Sequence, residues 1–334
     1  MSDPAGWSRA RPPWHEGERT LHERLGVRQR MEAVGRRVIR DFLTEEHRAF
    51  YPLLSFLIVG SRDEAGQPWA SILSGAPGFV HAPDPCSLRV EARPTEDDPL
   101  AQALDVGADL GLLGIDLSTR RRNRANGRVV SLDDTGFRLG VRQSFGNCPR
   151  YIQRRELLPA SDASAPAPAA TRGAALGAAD RALVAAADTC FVASASGGAG
   201  DDPAEGVDAS HRGGAPGFVR VEDARTLRMP DHPGNQFFNT LGNLLVEPRC
   251  GLLFLDFERG DLLQVAAEAE IQWREQTPAS PLDTGRWIRF RVREALRRPG
   301  ALPLRWKSRE ASPRPGPGEP AARTPGAGRP HSVD

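Results

Sequence analysis

Apolar positions change their period along the chain. Between residues 20 and 42, Leu21, Leu25, Met31, Val34, Val38 and Phe42 recur at near-helical spacing among charged residues, which predicts one or two amphipathic helices. Thr44, followed by Glu45 and Glu46, is an N-cap signal for a further short helix. The texture then becomes β. Leu54–Gly60, Pro68–Leu73, Phe79-Val80, Leu88–Glu91, Asp109–Leu117, Gly127–Leu132 and Gly136–Gln143 are short segments separated by Gly, Asp and Pro, as in an antiparallel barrel or sandwich. One helix, near Pro99–Leu104, interrupts them. A stretch rich in Ala, Pro and Ser, residues 159–177, reads as a linker. Beyond it a helix is expected over Ala178–Ala187. Strands are expected at Thr189–Ser196, Gly206–Ser210, Phe218–Val221, Thr226–Met229, Gly251–Phe257 and Leu262–Trp273, with a helix between Gln236 and Val246. Ile288, Phe290 and Val292 alternate with Arg289, Arg291 and Arg293, the mark of a half-buried last strand. Residues 1–19, with three prolines, read as a loose arm, and the Pro- and Gly-rich residues from Glu310 onward as a disordered tail.

The β pattern occurs twice. Gly75-Ala-Pro-Gly-Phe-Val80 returns unchanged as Gly214–Val219, Asp84–Arg89 matches Asp223–Arg228, and Gly111–Asp116 matches Gly251–Asp256. So long a period is too great for solenoids or propellers, whose units run to roughly 20–50 residues. The organisation expected is therefore an arm with helices (1–44), a first repeat (45–158), the linker (159–177), a second repeat (178–309) and the tail (310–334).

Composition removes several functions. The chain has 334 residues, 39% hydrophobic and 26% charged, with a net charge of +1, so the whole molecule has no bias toward nucleic acid or anionic membrane. The longest apolar run, Leu53–Val59, is far below the roughly 18–20 residues of a membrane span, and the N-terminus does not read as a secretory signal. A cytoplasmic protein is expected. Cys86, Cys148, Cys190 and Cys250 form no CxxC, which argues against structural zinc or a disulfide framework. Lys307 is the only lysine, and no Gly-Lys-Ser/Thr occurs, which argues against Schiff-base and P-loop chemistry.

The densest polar constellation lies in the second repeat: Asp208, Ser210, His211, Arg212, Gly213 and Gly214, then Arg228, Asp231 and Asn235, then Asn239, Thr240 and Asn243. A hydroxyl, two arginines and backbone amides freed by glycine suit a phosphate dianion. The helix beginning near Gln236 would add its N-terminal amides. A hairpin turn at Gly213-Gly214 with solvated arginines is the bland reading of the same residues. Thr119–Arg124 reads as a hairpin whose arginines are solvated or meet a bound phosphate; it lacks the interleaved aromatics of a single-strand nucleic-acid groove. Cys148 reads as structural, although Pro149-Arg150 suggest a helix start, and His211 and His232 as surface or loop residues.

The order of these segments, SxRGG at Ser210–Gly214, TLRMPDHPGN at Thr226–Asn235 and EPRCGLLF at Glu247–Phe254, resembles the pyridoxamine 5′-phosphate oxidase-like FMN-binding split-barrel proteins, in particular a duplicated, two-barrel branch. The resemblance spans roughly residues 14–306. It implies a mainly β chain with flanking helices: two tandem six-stranded antiparallel split β-barrels after an α-helical arm. It also implies FMN held between two barrels that form an intramolecular pseudo-dimer or a homo-oligomer. Carried over by position, Ser210 and Arg212 would face the flavin, Asn239 and Thr240 would grip its phosphate, and Asn243 would reach the flavin region; Gly213, Arg228, Asp231 and Asn235 complete the candidate cofactor set. The chain departs from the family where basic residues usually start the helix, having Gln236–Thr240, and where Ala266-Ala267-Glu268 replaces a Gly-Arg that Gly127-Arg128 preserves in the first repeat. In the first repeat Leu73 stands in place of Arg212, leaving Arg89 and Arg93 as anion ligands there. An FMN-dependent oxidoreductase taking a small-molecule substrate or electron donor is the implied function, with no metal and no nucleic acid. A haem-binding or haem-degrading split barrel using His211, and a non-catalytic flavin-binding module, are the alternatives.

Overall fold

The computed structural model describes residues 6–159, 168–197, 202–274 and 283–308. Three helices open the chain, α1 (Glu16–Arg24), α2 (Arg28–Val38) and α3 (Glu45–Phe50). The first β unit holds β1 (Phe56–Arg62), β2 (Pro68–Ser74), β3 (Val80–Asp84), β4 (Ser87–Val90), α4 (Pro99–Ala103), β5 (Asp109–Asp116), β6 (Arg121–Asp133) and β7 (Gly136–Gly146). Two short strands follow, β8 (Arg155–Leu157) and β9 (Thr171–Gly173). The second unit holds α5 (Ala178–Ala186), β10 (Thr189–Ser196), β11 (Gly206–Gly213), β12 (Arg220–Asp223), β13 (Thr226–Pro230), α6 (Asn239–Val246), β14 (Arg249–Leu255), β15 (Leu262–Trp273), β16 (Arg286–Arg298) and β17 (Trp306–Ser308).

The first sheet runs β2-β1-β5-β6-β7-β4-β3 and the second β11-β10-β14-β15-β16-β13-β12, the same order, with β9 added on β16. All pairings are antiparallel. Each path has seven strands, one more than the six expected, and its two end strands are not joined. One apolar cluster draws on all seven strands of the first sheet, from Leu57 and Val59 on β1 and Leu73 on β2 to Val80 on β3, Leu88 on β4 and Leu139 on β7. A second cluster gathers residues of β10, β13, β14, β15 and β16 in the other sheet, with Val221 of β12 packed against it. An open sheet wrapped around its own core is consistent with a split barrel.

The opposite face of β1, β2 and β5 does not meet water. Phe56, Ile58, Ala70, Ile72, Leu113 and Ile115 pack in one cluster with Phe191, Ala193, Ala209, Leu253 and Leu255 of β10, β11 and β14. This explains the apolar runs at Phe56–Val59 and Leu252–Leu255, because strands buried on both faces lose the polar half of their alternation. Glycine makes the approach possible. A Cβ on Gly111 would lie 2.5 Å from the Val207 carbonyl oxygen, and one on Gly251, at the matching place in β14, 2.6 Å from that of Pro68.

Three expectations need correction. Residues 6–15 are not a loose arm: Trp7 and Trp14 are buried with Met31, Ile39, Phe145 and Phe237. The prolines only prevent regular structure, while the two indoles supply enough apolar area to hold the segment. β6 begins at Arg121 rather than near Gly127, so Arg121–Arg124 are strand, while Thr119 and Arg120 form the expected turn between β5 and β6. Residues 149–150 start no helix; a turn stands there. Among the described residues no helix is long and apolar enough to cross a membrane. The expected tail, from Glu310, lies outside the described residues, as do residues 160–167 of the expected linker.

Candidate functional site

A cavity of about 120 Å³ opens where the start of β6 from the first unit meets β11 and the start of α6 from the second. Four arginines line it, Arg122, Arg124, Arg150 and Arg212, against one carboxylate, Asp231.

Strand geometry delivers these groups. Successive side chains of a strand point to opposite faces, so Arg122 and Arg124 share one face of β6. Arg124 is buried; its Nη1 donates to Asp208 Oδ1 at 2.6 Å and its Nη2 to the Ser210 hydroxyl, both in the other unit. Arg122 is only partly buried, and among the described residues it meets no carboxylate. Its Nε donates to the Cys148 carbonyl at 2.9 Å. Desolvation first, then the like charges of Arg124 and Arg212, push its guanidinium down to about 10, which leaves it cationic at neutral pH. On β11, Arg212 donates to Asp231 Oδ1 at 3.1 Å, and Asp231 also accepts from Arg286 Nε at 2.9 Å.

His211, the residue between Ser210 and Arg212, is 7% exposed, and neither ring nitrogen has a hydrogen-bond partner. Burial, reinforced by Arg122, Arg155 and Arg212, holds its pKa well below the ordinary value of 6.5, so the imidazole is neutral. Arg124 Nε, Arg212 Nε and Asn147 Nδ2 are likewise buried without partners. Unsatisfied polar groups are rare in folded interiors, and a cluster of them beside a cavity offers hydrogen-bonding capacity to water or to a polar ligand. α6 adds to this. Its N-cap, Phe238, sits in the left-handed region at φ 60 and supplies no side-chain cap, while Asn239 and Thr240 of the first turn line the cavity.

The N-terminal segment braces α6 from behind. Glu18 of α1 is buried and accepts from Asn239 Nδ2 at 2.6 Å and from the His15 amide at 3.0 Å. Burial, and secondarily Asp208, raise its carboxyl well above the usual range. Gly17 and Gly242 let the helices touch: a Cβ on Gly17 would lie 2.0 Å from the Gly242 carbonyl oxygen.

Of the residues expected from sequence, Ser210, Arg212, Gly213, Asp231, Asn235, Asn239 and Thr240 line this one cavity. Arg228 does not; its guanidinium lies 4.6 Å above the Trp287 ring. Asn243 is buried behind the wall, donating to Asp208 Oδ2 at 2.7 Å and Ser194 Oγ at 3.0 Å. Arg89 and Arg93 are elsewhere, at Asp133. Sequence reasoning offered a phosphate contact for the Thr119–Arg124 arginines as one reading, but singled out neither Arg122 as a lining group nor Arg124 as the link between the units. The signal was the two-residue spacing of Arg122 and Arg124, which puts both on one face of the strand after the turn.

No model of a known protein family matches the sequence, and no curated protein does. Among solved structures, a HupZ variant from Group A Streptococcus is similar at 13% identity, covering 36% of this chain and 98% of its own, with a TM-score of 0.28. A candidate pyridoxamine 5′-phosphate oxidase from Lactobacillus delbrueckii is similar at 11% identity, covering 37% and 94%, with a TM-score of 0.28. The inhibitor of motility MotI/DgrA of Bacillus subtilis is similar at 9%, covering 72% and 88%, with a TM-score of 0.19. At these scores the likeness carries no argument, and the reading of the site rests on the chain's own residues.

Proposed function

We propose that the chain is a tandem pair of split barrels, joined as an intramolecular pseudo-dimer, that binds FMN through its phosphate in the cavity between them and serves as an FMN-dependent oxidoreductase. The observation that carries this is the excess of positive charge in a partly enclosed site: Arg122 without a carboxylate, Arg212 sharing one, and an uncapped helix start directed at the same space. Guanidinium groups and helix-start amides are the donors a phosphate dianion takes.

The residues fit the group. Arg122, Arg212, Asn239 and Thr240 would hold the phosphate, and Phe218, Phe238, Leu113 and Tyr151 line the cavity with apolar surface. About 120 Å³ is below the roughly 300–1,000 Å³ of pockets that enclose a whole ligand. The cavity therefore anchors the charged end and leaves the remainder at the mouth. When bound, the flavin would supply the redox chemistry, and the protein binding, orientation and restricted solvent access. His211, neutral and with both nitrogens available, can donate from one and accept at the other.

The same imidazole favours a second reading, a haem-binding protein with His211 as iron ligand. The visible spectrum of the desalted protein separates the two. Bound FMN absorbs at about 450 nm, whereas haem gives a Soret band. Protein that stays colourless and takes up neither added FMN nor haem refutes both. A non-catalytic flavin carrier would bind FMN and show no turnover with reduced nicotinamides.

A further inference from the structure

We infer that the chain holds one anionic ligand and not two, because at the position related to the cavity by the repeat the carboxylate of Asp98 already stands where the ligand's anionic group would stand. The inference rests on the reading of the cavity as an anion site.

Strand register fixes which residues correspond. Ser71 pairs with Val59 as Ser210 pairs with Val192, and Gln264 pairs with Leu253 as Arg124 pairs with Leu113. By the same registers Leu262 matches Arg122, Leu73 matches Arg212 and Ile72 matches His211. The bond that crosses between the units is made in both directions. Arg124 reaches the Ser210 hydroxyl, and Gln264 Nε2 reaches that of Ser71 at 3.1 Å.

Beyond that shared bond the two positions diverge. At the cavity, Arg122, His211 and Arg212 leave charge and hydrogen-bonding capacity unspent. At the other position their counterparts are Leu262, Ile72 and Leu73, all buried in apolar clusters. The polar centre there is closed on itself. Asp98, 3% exposed, accepts from Ser71 Oγ at 2.5 Å, from the Leu100 amide of α4 at 2.9 Å and from Arg298 Nη1 at 2.7 Å. Arg298, 4% exposed, also donates from Nε to Asp97 Oδ2 at 2.9 Å. A strand hydroxyl, a helix-start amide and a guanidinium are the donor types that Ser210, α6 and the cavity arginines present on the open side. Asp98 satisfies them from within the chain, so no ligand is needed and none can enter.

The test has two arms on the full chain. In the first, the wild-type protein is titrated with FMN and, separately, with inorganic phosphate. One equivalent per chain is expected, weakened at least tenfold by Arg212→Ala. Two equivalents would overturn the inference, and no binding at all would refute the anion-site reading instead. The second arm needs no flavin. Asp98→Ala, and Asp98→Ser, which keeps a capping oxygen, are melted in formate and in chloride at matched ionic strength. Formate can fill the space of the lost carboxylate beside Arg298. A saturable rise in Tm in formate, absent from the wild type, is expected; folded variants that show no such rise would overturn the inference whatever the flavin titration gives.

Discussion

At the scale of single residues, the arrangement ranks the arginines. Arg212→Ala removes a charge-assisted contact worth about 1.5–3 kcal/mol, so affinity for FMN should fall by one to two orders of magnitude. Arg122→Ala should do as much, because no carboxylate competes for its guanidinium. Arg89→Ala should leave affinity unchanged, since Arg89 is engaged by Asp133 and Thr135. Fluorescence titration of flavin against the three variants checks the order, and a dominant effect of Arg89 would place the phosphate elsewhere. His211 gives a pH prediction. Its folded pKa lies below the ordinary 6.5, so the unfolded chain binds more protons as pH falls. The stability this contributes is present above pH 6.5 and is lost as the pH falls below it. Urea midpoints at pH 7.5 and 5.5 should therefore converge in His211→Gln relative to the wild type; an equal acid loss in both would show that the histidine is not buried as described.

At the scale of elements, the N-terminal helix owes its place to two glycines. With Gly17 replaced by Ala, the new methyl would have to share space with the Gly242 carbonyl, so α1 must lift from α6. Overpacking of this kind costs about 1–3 kcal/mol, and Asn239 would lose its bond to Glu18. A Tm lower by several degrees, together with weaker flavin binding, is expected; calorimetry of the variant with and without FMN reads both. Most elements were legible beforehand. β10 and β15 fall at the bounds expected from the sequence, and Thr44 caps α3, accepting from the His47 amide. Charge hid the rest: β6 starts in an arginine run and β16 extends to Arg298, and a propensity argument does not place such residues in a sheet until a neighbouring unit supplies partners.

At the scale of the molecule, the two units share an apolar cluster, and β17 returns to pair with β8, which follows the first sheet. Trp306 packs edge-on against Phe56 and Phe257, with ring centroids 5.4 and 5.5 Å away. A chain ending after Arg309 should keep the Tm and flavin content of the whole, whereas one ending before Leu304 should lose several degrees, since removing a buried Trp side chain alone costs about 3–5 kcal/mol. Separately expressed halves should be insoluble or should recombine, because each would expose Ile58 and Leu113 or Phe191 and Leu253. Two stable monomers that ignore each other on mixing would contradict a pseudo-dimer.

By itself the sequence determined what depends on local periodicity and on repetition. The strands, the short helices and the repeated GAPGFV segment follow from side-chain alternation and turn chemistry, which act within a few residues. It also assembled most of the phosphate-like set, since Ser210, Arg212 and Gly213 are neighbours in the chain and Asp231, Asn235, Asn239 and Thr240 follow closely. Only the tertiary structure decided which of the arginines remain available. Arg122 and Arg124 reach the cavity because β6 of one unit lies against β11 of the other, and Arg228 is drawn away by Trp287. Asp98 neutralises Arg298 across 200 residues of chain. Whether a buried charge is spent or free is set by what folding brings within a few ångströms of it, and no pattern along the chain records that distance.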